Sequence, residues 1–369
     1  MKVAVVFGTR PEAIKMAPVV RRLQQTAGVE TRVWSTGQHR EMLDQVLELF
    51  DLKVDVDLEV MRPDQTLNGL FARVLEHVDA TLAAETPDFL LVHGDTTTAA
   101  AAATAAFHRR VRIGHVEAGL RSGRIDQPWP EEFNRRVVDV VADQLYAPTE
   151  RARRNLLAEN LGEKAILVTG NTVVDALLLT VGRLATDPAV AARLAERFAF
   201  LNPTKQLVLV TGHRRESFGE GFRNICRALA SLADRPDVEI VYPVHLNPNV
   251  RGPVRELLSA RSNVHLIEPV DYEAFVYLMT RCRVILTDSG GVQEEAPSLG
   301  KPVLVMRDVT ERPEAVEAGV ARLVGTRPDA IVEGVAAALE SDAHPAAANP
   351  YGDGRAAERI VEGILACRP

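Results

Sequence analysis

Three carboxylates stand where short apolar runs give out: Asp95 after Phe89–Val92, Glu117 after Val111–Val116, and Glu131 in the loop Pro128-Trp129-Pro130-Glu131-Glu132. A short apolar run fits a buried parallel strand and the alanine block Ala99–Ala106 fits a helix, so the acids are expected at carboxyl ends of strands or in adjacent loops. In an open parallel sheet that edge is where ligands bind. An Asp ahead of Thr96-Thr97-Thr98 can equally cap a helix, and one loop Glu is commonly solvated. Three acids in succession, interleaved with His93, His115 and Arg121, point instead to groups that tune one another's hold on protons, which is acid–base chemistry.

Cationic and glycine-bearing turns supply the second kind of chemistry. Gly8-Thr9-Arg10-Pro11-Glu12 follows the first apolar run; its glycine admits a ligand close to the backbone and Arg10 offers a planar donor fork for phosphate, although Pro11 and Glu12 also suit an ordinary helix start. Asp288-Ser289-Gly290-Gly291 enters a helix and places backbone N–H groups where a diphosphate would sit, with Glu295 one turn on, able to accept from ribose hydroxyls. His213-Arg214-Arg215 follows another strand and can neutralise phosphate oxygens. His39 and His245 are more readily read as structural. No dinucleotide fingerprint or P-loop is present: the one GxGxxA match, Gly352 to Ala357, lacks a preceding strand, and Gly300-Lys301 lacks the upstream glycine.

The elements that must position these groups alternate in kind. Expected strands are Val3–Phe7, Arg32–Ser35, Leu145–Ala147 and Ala165–Val168, with helices Pro11–Gln25, Met42–Phe50 and Thr66–Ala83 between them. After Thr169-Gly170-Asn171-Thr172 a helix Val173–Leu184 and a polar, proline-punctuated stretch from Asp187 to Lys205 read as a bridge. The series then restarts with strands Leu207–Val210, Glu239–Val244, His265–Ile267, Val284–Leu286 and Pro302–Met306. The expectation is an α/β chain of two doubly wound parallel-sheet domains facing a central cleft. The domains are read as residues 1–172, joined by a final helix at about 353–369, and residues 173–352.

Composition narrows the class further. A chain of 369 residues exceeds one ordinary core, and 46% hydrophobic with 25% charged residues is the balance of a soluble globular protein. The net charge of -7 argues against nucleic acid as the main partner, so any phosphate binding is local. The opening apolar run is too short for a signal peptide and no run is long enough to span a bilayer, so the chain reads as cytoplasmic. Three widely spaced cysteines and nine histidines without HExxH spacing suggest neither a disulfide framework nor a metal site.

Taken together, GTRPEAIKMAPV, TGQHREMLDQVL, VHGDTTT, GHVEAGLRSG, PWPEEFNRR, VTGNTVVDAL, VTGHRRESFGEGF, YPVHLNP and TDSGGVQEEAPSLGKPVLVMRDVTERPEAV resemble the non-hydrolysing UDP-N-acetylglucosamine 2-epimerases, in order and from the first strand to about Ala315. The resemblance implies a GT-B fold of two Rossmann-like domains, with the final helix crossing back to the first, and a homodimer without NAD or metal. It implies reversible conversion of UDP-GlcNAc to UDP-ManNAc for surface polysaccharide precursors, by elimination of UDP to 2-acetamidoglucal and re-addition. Asp95, Glu117 and Glu131 match the family's catalytic acids and His213 its UDP-contacting histidine, also counted as catalytic. Arg10, Lys15, Arg135, Phe275, Ser289, Gly290, Gly291, Glu295 and Arg312 match its substrate and UDP contacts. Gln38, His39, Glu131, Arg214 and His245 match positions at which some bacterial relatives bind a second, activating UDP-GlcNAc. Glu41 and Asp64 stand where activated relatives carry neutral and basic residues, so activation is expected to be weak or absent.

Other readings remain open at this level: a 2-epimerase for a UDP-diacetamido sugar, a hydrolysing 2-epimerase releasing ManNAc, a GT-B glycosyltransferase, and a non-catalytic nucleotide-sugar sensor. The intact GTRPEAIK, PWPEE and HRRE motifs favour the non-hydrolysing branch. No basic, apolar membrane-docking stretch supports a transferase, and the presence of all three acids argues against a sensor.

Overall fold

A computed structural model describes residues 1–37, 40–62, 64–341 and 348–367, with the backbone alone at 40–42. The chain divides into two compact units, Met1–Ala176 with Gly352–Pro369, and Leu177–Tyr351. Each is a parallel sheet flanked by helices, the Rossmann-like α/β architecture expected from the alternating pattern.

Seven strands form the first sheet: β1 (Lys2–Phe7), β2 (Glu30–Ser35), β3 (Val56–Asp57), β4 (Phe89–His93), β5 (Arg112–Val116), β6 (Gln144–Ala147) and β7 (Ile166–Val168). Their order is β3-β2-β1-β4-β5-β6-β7, all parallel, with Val5 beside Leu91 and Leu91 beside Gly114. Every residue of β4 is buried, as a strand covered on both faces requires. The order reverses direction between β1 and β4, so the turns after Phe7 and His93 splay apart and open the crevice characteristic of such sheets. The helix Thr97–His108 is buried along Ala99–Ala103, Ala105 and Ala106, and these small side chains let it pack closely between the helices Leu67–Glu85 and Glu131–Val141.

The helix Ala356–Ala366 also belongs to this unit. It packs on the helix Arg10–Gln24 and on β6, and its first amides, at Ala356 and Ala357, donate to the buried Asp175 carboxylate at 3.2 and 2.8 Å. Gly363 makes the approach possible, because a Cβ there would lie 2.7 Å from Leu167 and 3.0 Å from the Tyr146 ring.

The second unit holds β8 (Gln206–Thr211), β9 (Val238–Pro243), β10 (Val264–Ile267), β11 (Val284–Thr287), β12 (Val303–Val305) and β13 (Ala321–Leu323), in the order β10-β9-β8-β11-β12-β13. Its reversal point lies between β8 and β11, where Thr211 pairs with Thr287 in register and their hydroxyls meet at 2.6 Å. The stretch Asp187–Lys205 is not a linker. Asp187 caps a helix, Pro188–Arg197, that buries Val190 and Leu194 within this unit. Its sparse apolar residues fall at helical spacing, which the prolines at 188 and 203 obscured.

Candidate functional site

At the reversal point of the first sheet, the two turns are tied together by one carboxylate. Glu12 is 2% exposed and accepts from the Gly8 and Thr9 amides at 3.0 and 2.8 Å, from the Thr9 hydroxyl at 2.8 Å and, across the crevice, from the Thr96 hydroxyl at 2.6 Å. The Thr9 hydroxyl oxygen accepts in turn from the Glu12 backbone amide, completing a capping box. Burial pushes the Glu12 carboxyl up from its ordinary range, against the pull of these donors. Glu12 is thus a brace for the turn that presents Arg10 and for the helix that carries Lys15.

Beyond the turns lie the three sequence-flagged acids. Asp95, in the loop after β4, is paired with Arg135 from the helix Glu131–Val141, and its carbonyl accepts from the Asn134 amide at 2.9 Å. Glu117 follows β5 with a φ of +69°, a left-handed conformation that costs a non-glycine residue about 1 kcal/mol or more. That strain aims its nearly buried carboxylate at Lys15, which pairs with Oε2, while Asn171 donates to the same oxygen at 3.0 Å. Glu131 opens its helix with Oε2 buried and without a hydrogen-bond partner among the described residues. Its neighbour Glu132 is fully buried and saturated by the Ser122 amide, Arg135 and Arg136. The two adjacent acids therefore do different work: Glu132 fixes the loop, and Glu131 keeps an oxygen in reserve.

The histidines divide in the same way. His115 is fully buried with both ring nitrogens engaged, Nδ1 on Asp139 at 2.6 Å and Nε2 on the Gly94 carbonyl at 2.7 Å. Asp139 also receives Arg121 at 2.8 Å and the Gly119 amide at 3.3 Å, and Arg121 extends to Glu159. His115 and Arg121 thus form a scaffold under the Glu117 turn, where the sequence placed them among the reactive groups. His93 is buried too, yet both of its nitrogens lack hydrogen-bond partners among the described residues, and Nε2 lies 3.9 Å from Glu117 Oε2. Burial pushes its imidazole down to about 3, with the Glu117 charge opposing, so the ring is neutral.

The second unit repeats the brace at its own reversal point. Asp288 is buried at the end of β11 and accepts from the amides of His213 and Arg214, which follow β8, at 2.7 and 2.8 Å. Its other oxygen stands 3.4 Å from His213 Nδ1. The His213 ring stacks on His245, with centroids 5.3 Å apart and planes 15° from parallel. Burial pushes the His213 imidazole down, partly offset by the Asp288 charge.

Ser289, Gly290 and Gly291 then lead into a helix, Gly290–Glu295, whose N-cap Ser289 side chain makes no capping hydrogen bond among the described residues. Glu295 is buried and receives the Tyr272 hydroxyl at 2.5 Å, Arg312 pairs with Glu294, and Phe275 lies half-buried on the helix Tyr272–Arg281. Arg214 reaches Glu311 at 3.0 Å, and Glu311 also pairs with Arg307. Gln38 and His39 lie outside the described residues, as does the Glu41 side chain; Asp64 is exposed.

Among the described residues no cluster of three or more ligating side chains could hold a metal, and no helix is long and apolar enough to cross a membrane. In the sequence Glu12, Glu132 and Asp288 stood out only as parts of their motifs, Glu12 as an ordinary helix start, and Asp139 not at all. For Glu12, Glu132 and Asp288 the available signal was position, since each sits in a turn or first helical turn where a carboxylate has orphan amides to satisfy, whereas Asp139, in the last turn of the helix Glu131–Val141, carried none.

Comparison with known proteins agrees across the chain. A family model described as UDP-N-acetylglucosamine 2-epimerase matches residues 21–365. A protein of Ralstonia solanacearum named "Probable UDP-N-acetylglucosamine 2-epimerase" is 58% identical over 99% of both chains. The UDP-N-acetylglucosamine 2-epimerase of Yersinia pestis is 55% identical over 99% of this chain and 98% of its own. The crystal structure of UDP-GlcNAc 2-epimerase from Neisseria meningitidis bound to UDP-GlcNAc superposes with a TM-score of 0.91 at 48% identity, covering 99% of this chain and 100% of that one.

Proposed function

The chain belongs to the UDP-N-acetylglucosamine 2-epimerase family, and from that premise we propose that it interconverts UDP-GlcNAc and UDP-ManNAc without hydrolysis, through a 2-acetamidoglucal intermediate. The C2 hydrogen of the sugar is not beside a carbonyl, so direct deprotonation to a free carbanion is too costly. Coupling loss of that proton to departure of UDP removes the difficulty: the C2–H electron pair becomes the C1=C2 bond as the C1–O bond breaks, and the leaving diphosphate carries the charge. Re-addition of UDP with protonation on the opposite face inverts C2. The route needs carboxylates at the sugar and cations at the diphosphate.

The observation that carries the reading is the arrangement of acids in the first unit: Asp95 beside Arg135, Glu117 beside Lys15, and Glu131 with an unsatisfied oxygen. We assign these three to proton transfer and charge stabilisation, with Lys15 and Arg10 supporting the diphosphate. In the second unit His213, Ser289, Gly290, Gly291, Glu295, Arg312 and Phe275 are assigned to UDP. The exposed Phe107, Phe133 and Val140, on adjacent helices, support a homodimer.

Proton NMR with UDP-GlcNAc in deuterated water, with nothing else added, tests this. UDP-ManNAc carrying deuterium at C2 is expected. Free ManNAc with UDP would mean the hydrolysing reaction, and an unchanged spectrum would overturn the assignment. Asp95→Asn should lose epimerisation yet still bind UDP, because the amide keeps the shape without taking a proton.

A further inference from the structure

We propose that His93 is a positioning residue for Glu117, the group that holds its carboxyl while that carboxyl carries a proton. The inference rests on the epimerase reading above, in which Glu117 takes part in proton transfer.

Geometry carries it. His93 ends β4, beside the residue that ends β5, and its ring is about 95% buried with neither nitrogen hydrogen-bonded among the described residues. Two orphaned polar atoms in a core are destabilising, and an apolar residue would remove the penalty. The adjacent strand shows what this sheet does with a histidine that serves only structure: His115 has a partner on each nitrogen. Glu117 Oε2 stands 3.9 Å from His93 Nε2, about 1 Å beyond hydrogen-bond range, with the Lys15 and His115 side chains also near.

Glu117 as a carboxylate is drawn to Lys15 and Asn171 on Oε2. When the proton leaving C2 becomes an O–H of Glu117, the attraction of the Lys15 ammonium falls, because the carboxyl is now neutral. The new O–H needs an acceptor, and Lys15 has none to offer. A neutral imidazole does, and burial keeps His93 neutral. A shift of about 1 Å closes the gap to Nε2. Because C2 is reprotonated on the opposite face by another acid, Glu117 releases its proton to solvent before the next turnover and swings back to Lys15. His93 therefore needs no permanent partner, since its partner arrives once in each cycle.

The test is a matched pair of variants in the full chain. Leu and Gln are close in volume and differ in polarity. His93→Leu is expected to lower kcat about tenfold with KM for UDP-GlcNAc within about twofold, the loss of one transition-region hydrogen bond. Deuterium incorporation at C2 should slow in parallel, and thermal stability should be unchanged or higher. His93→Gln, which keeps a neutral acceptor, should restore kcat to within about threefold of wild type. If the Leu variant does not fold, His93→Met replaces it. Wild-type kcat in the apolar variant, equal losses in the apolar and Gln variants, or a change confined to KM would each overturn the proposal. Absence of C2 exchange in the wild-type protein would remove the reading beneath it, and that control separates the two failures.

Discussion

Asp139 is the point from which the Glu117 turn hangs, and Asp139→Ala should lower the stability of the first unit by about 3–4 kcal/mol. Its carboxylate holds His115 at 2.6 Å, Arg121 at 2.8 Å and the Gly119 amide at 3.3 Å, all away from solvent. Removing one partner of a buried ion pair costs about 3–5 kcal/mol, and orphaning a neutral donor about 1 kcal/mol each. Arg121 keeps Glu159, which is a third exposed, so its share falls to about 1–2 kcal/mol and the total with the two orphaned donors is about 3–4 kcal/mol. Asp139→Asn, which retains one acceptor, should lose about half as much. Urea unfolding followed by tryptophan fluorescence isolates the effect, because both tryptophans, the buried Trp34 and the exposed Trp129, lie in the first unit.

The acid dependence has a definite sign. Burial alone would raise the Asp139 carboxyl, but His115 and Arg121 outweigh it and hold it below its ordinary 3.8. The charged form therefore adds stability that is fully present above about pH 4 and disappears as pH falls through the lowered folded-state value. Wild type should lead Asp139→Asn by a constant margin near neutrality, with the margin shrinking only in acid. A loss below about 1 kcal/mol in Asp139→Ala, or an equal loss in Asn and Ala, would refute the reasoning.

Gly119→Ala should be poorly tolerated, since φ is +84° and the new Cβ would lie 2.4 Å from the Ala152 carbonyl; a fall of several degrees or more in the first unit's melting temperature checks it. Burial pushes the Cys226 and Cys282 thiols up to about 12, so iodoacetamide at pH 8 should label only Cys367 in the native protein, as mass spectrometry of the adducts would show. The rate should depend hyperbolically on UDP-GlcNAc, because the charges of Glu41 and Asp64 oppose a second diphosphate; a clearly sigmoidal curve would sink that expectation.

How much of this was legible in the sequence follows from what each feature depends on. Strand ends could be read because a run such as Phe89-Leu90-Leu91-Val92 has one good use, and the turns that follow such runs hold Asp95, Glu117, His213 and Ser289. Short edge strands were harder: Val56–Asp57 and Ala321–Leu323 are two and three residues long, with no period to detect. The division of labour within Glu131-Glu132 and between His93 and His115 was not readable at all. It depends on which neighbour in space supplies a donor or an acceptor, and Ser122, Asp139 and Gly94 reach these groups only through the fold. Residue type marked the cluster, and tertiary contact decided which members are bound and which remain available.

The helix Ala356–Ala366 has a consequence for biosynthesis. Its apolar face, with Ile360 and Ile364 fully buried, covers the part of the first unit that includes Tyr146 and Leu167, yet it is translated after the whole of Leu177–Tyr351. At ribosomal speed that delay is roughly 10–35 s. The unit begun first is therefore finished last, and in the interval it leaves the ribosome with an uncovered apolar surface and an unmatched Asp175. The intervening unit is contiguous in sequence and can close on itself meanwhile, so the nascent chain folds from the middle outward. A stop codon within those last two turns of helix would spare every residue assigned to chemistry and still leave the protein dependent on chaperones.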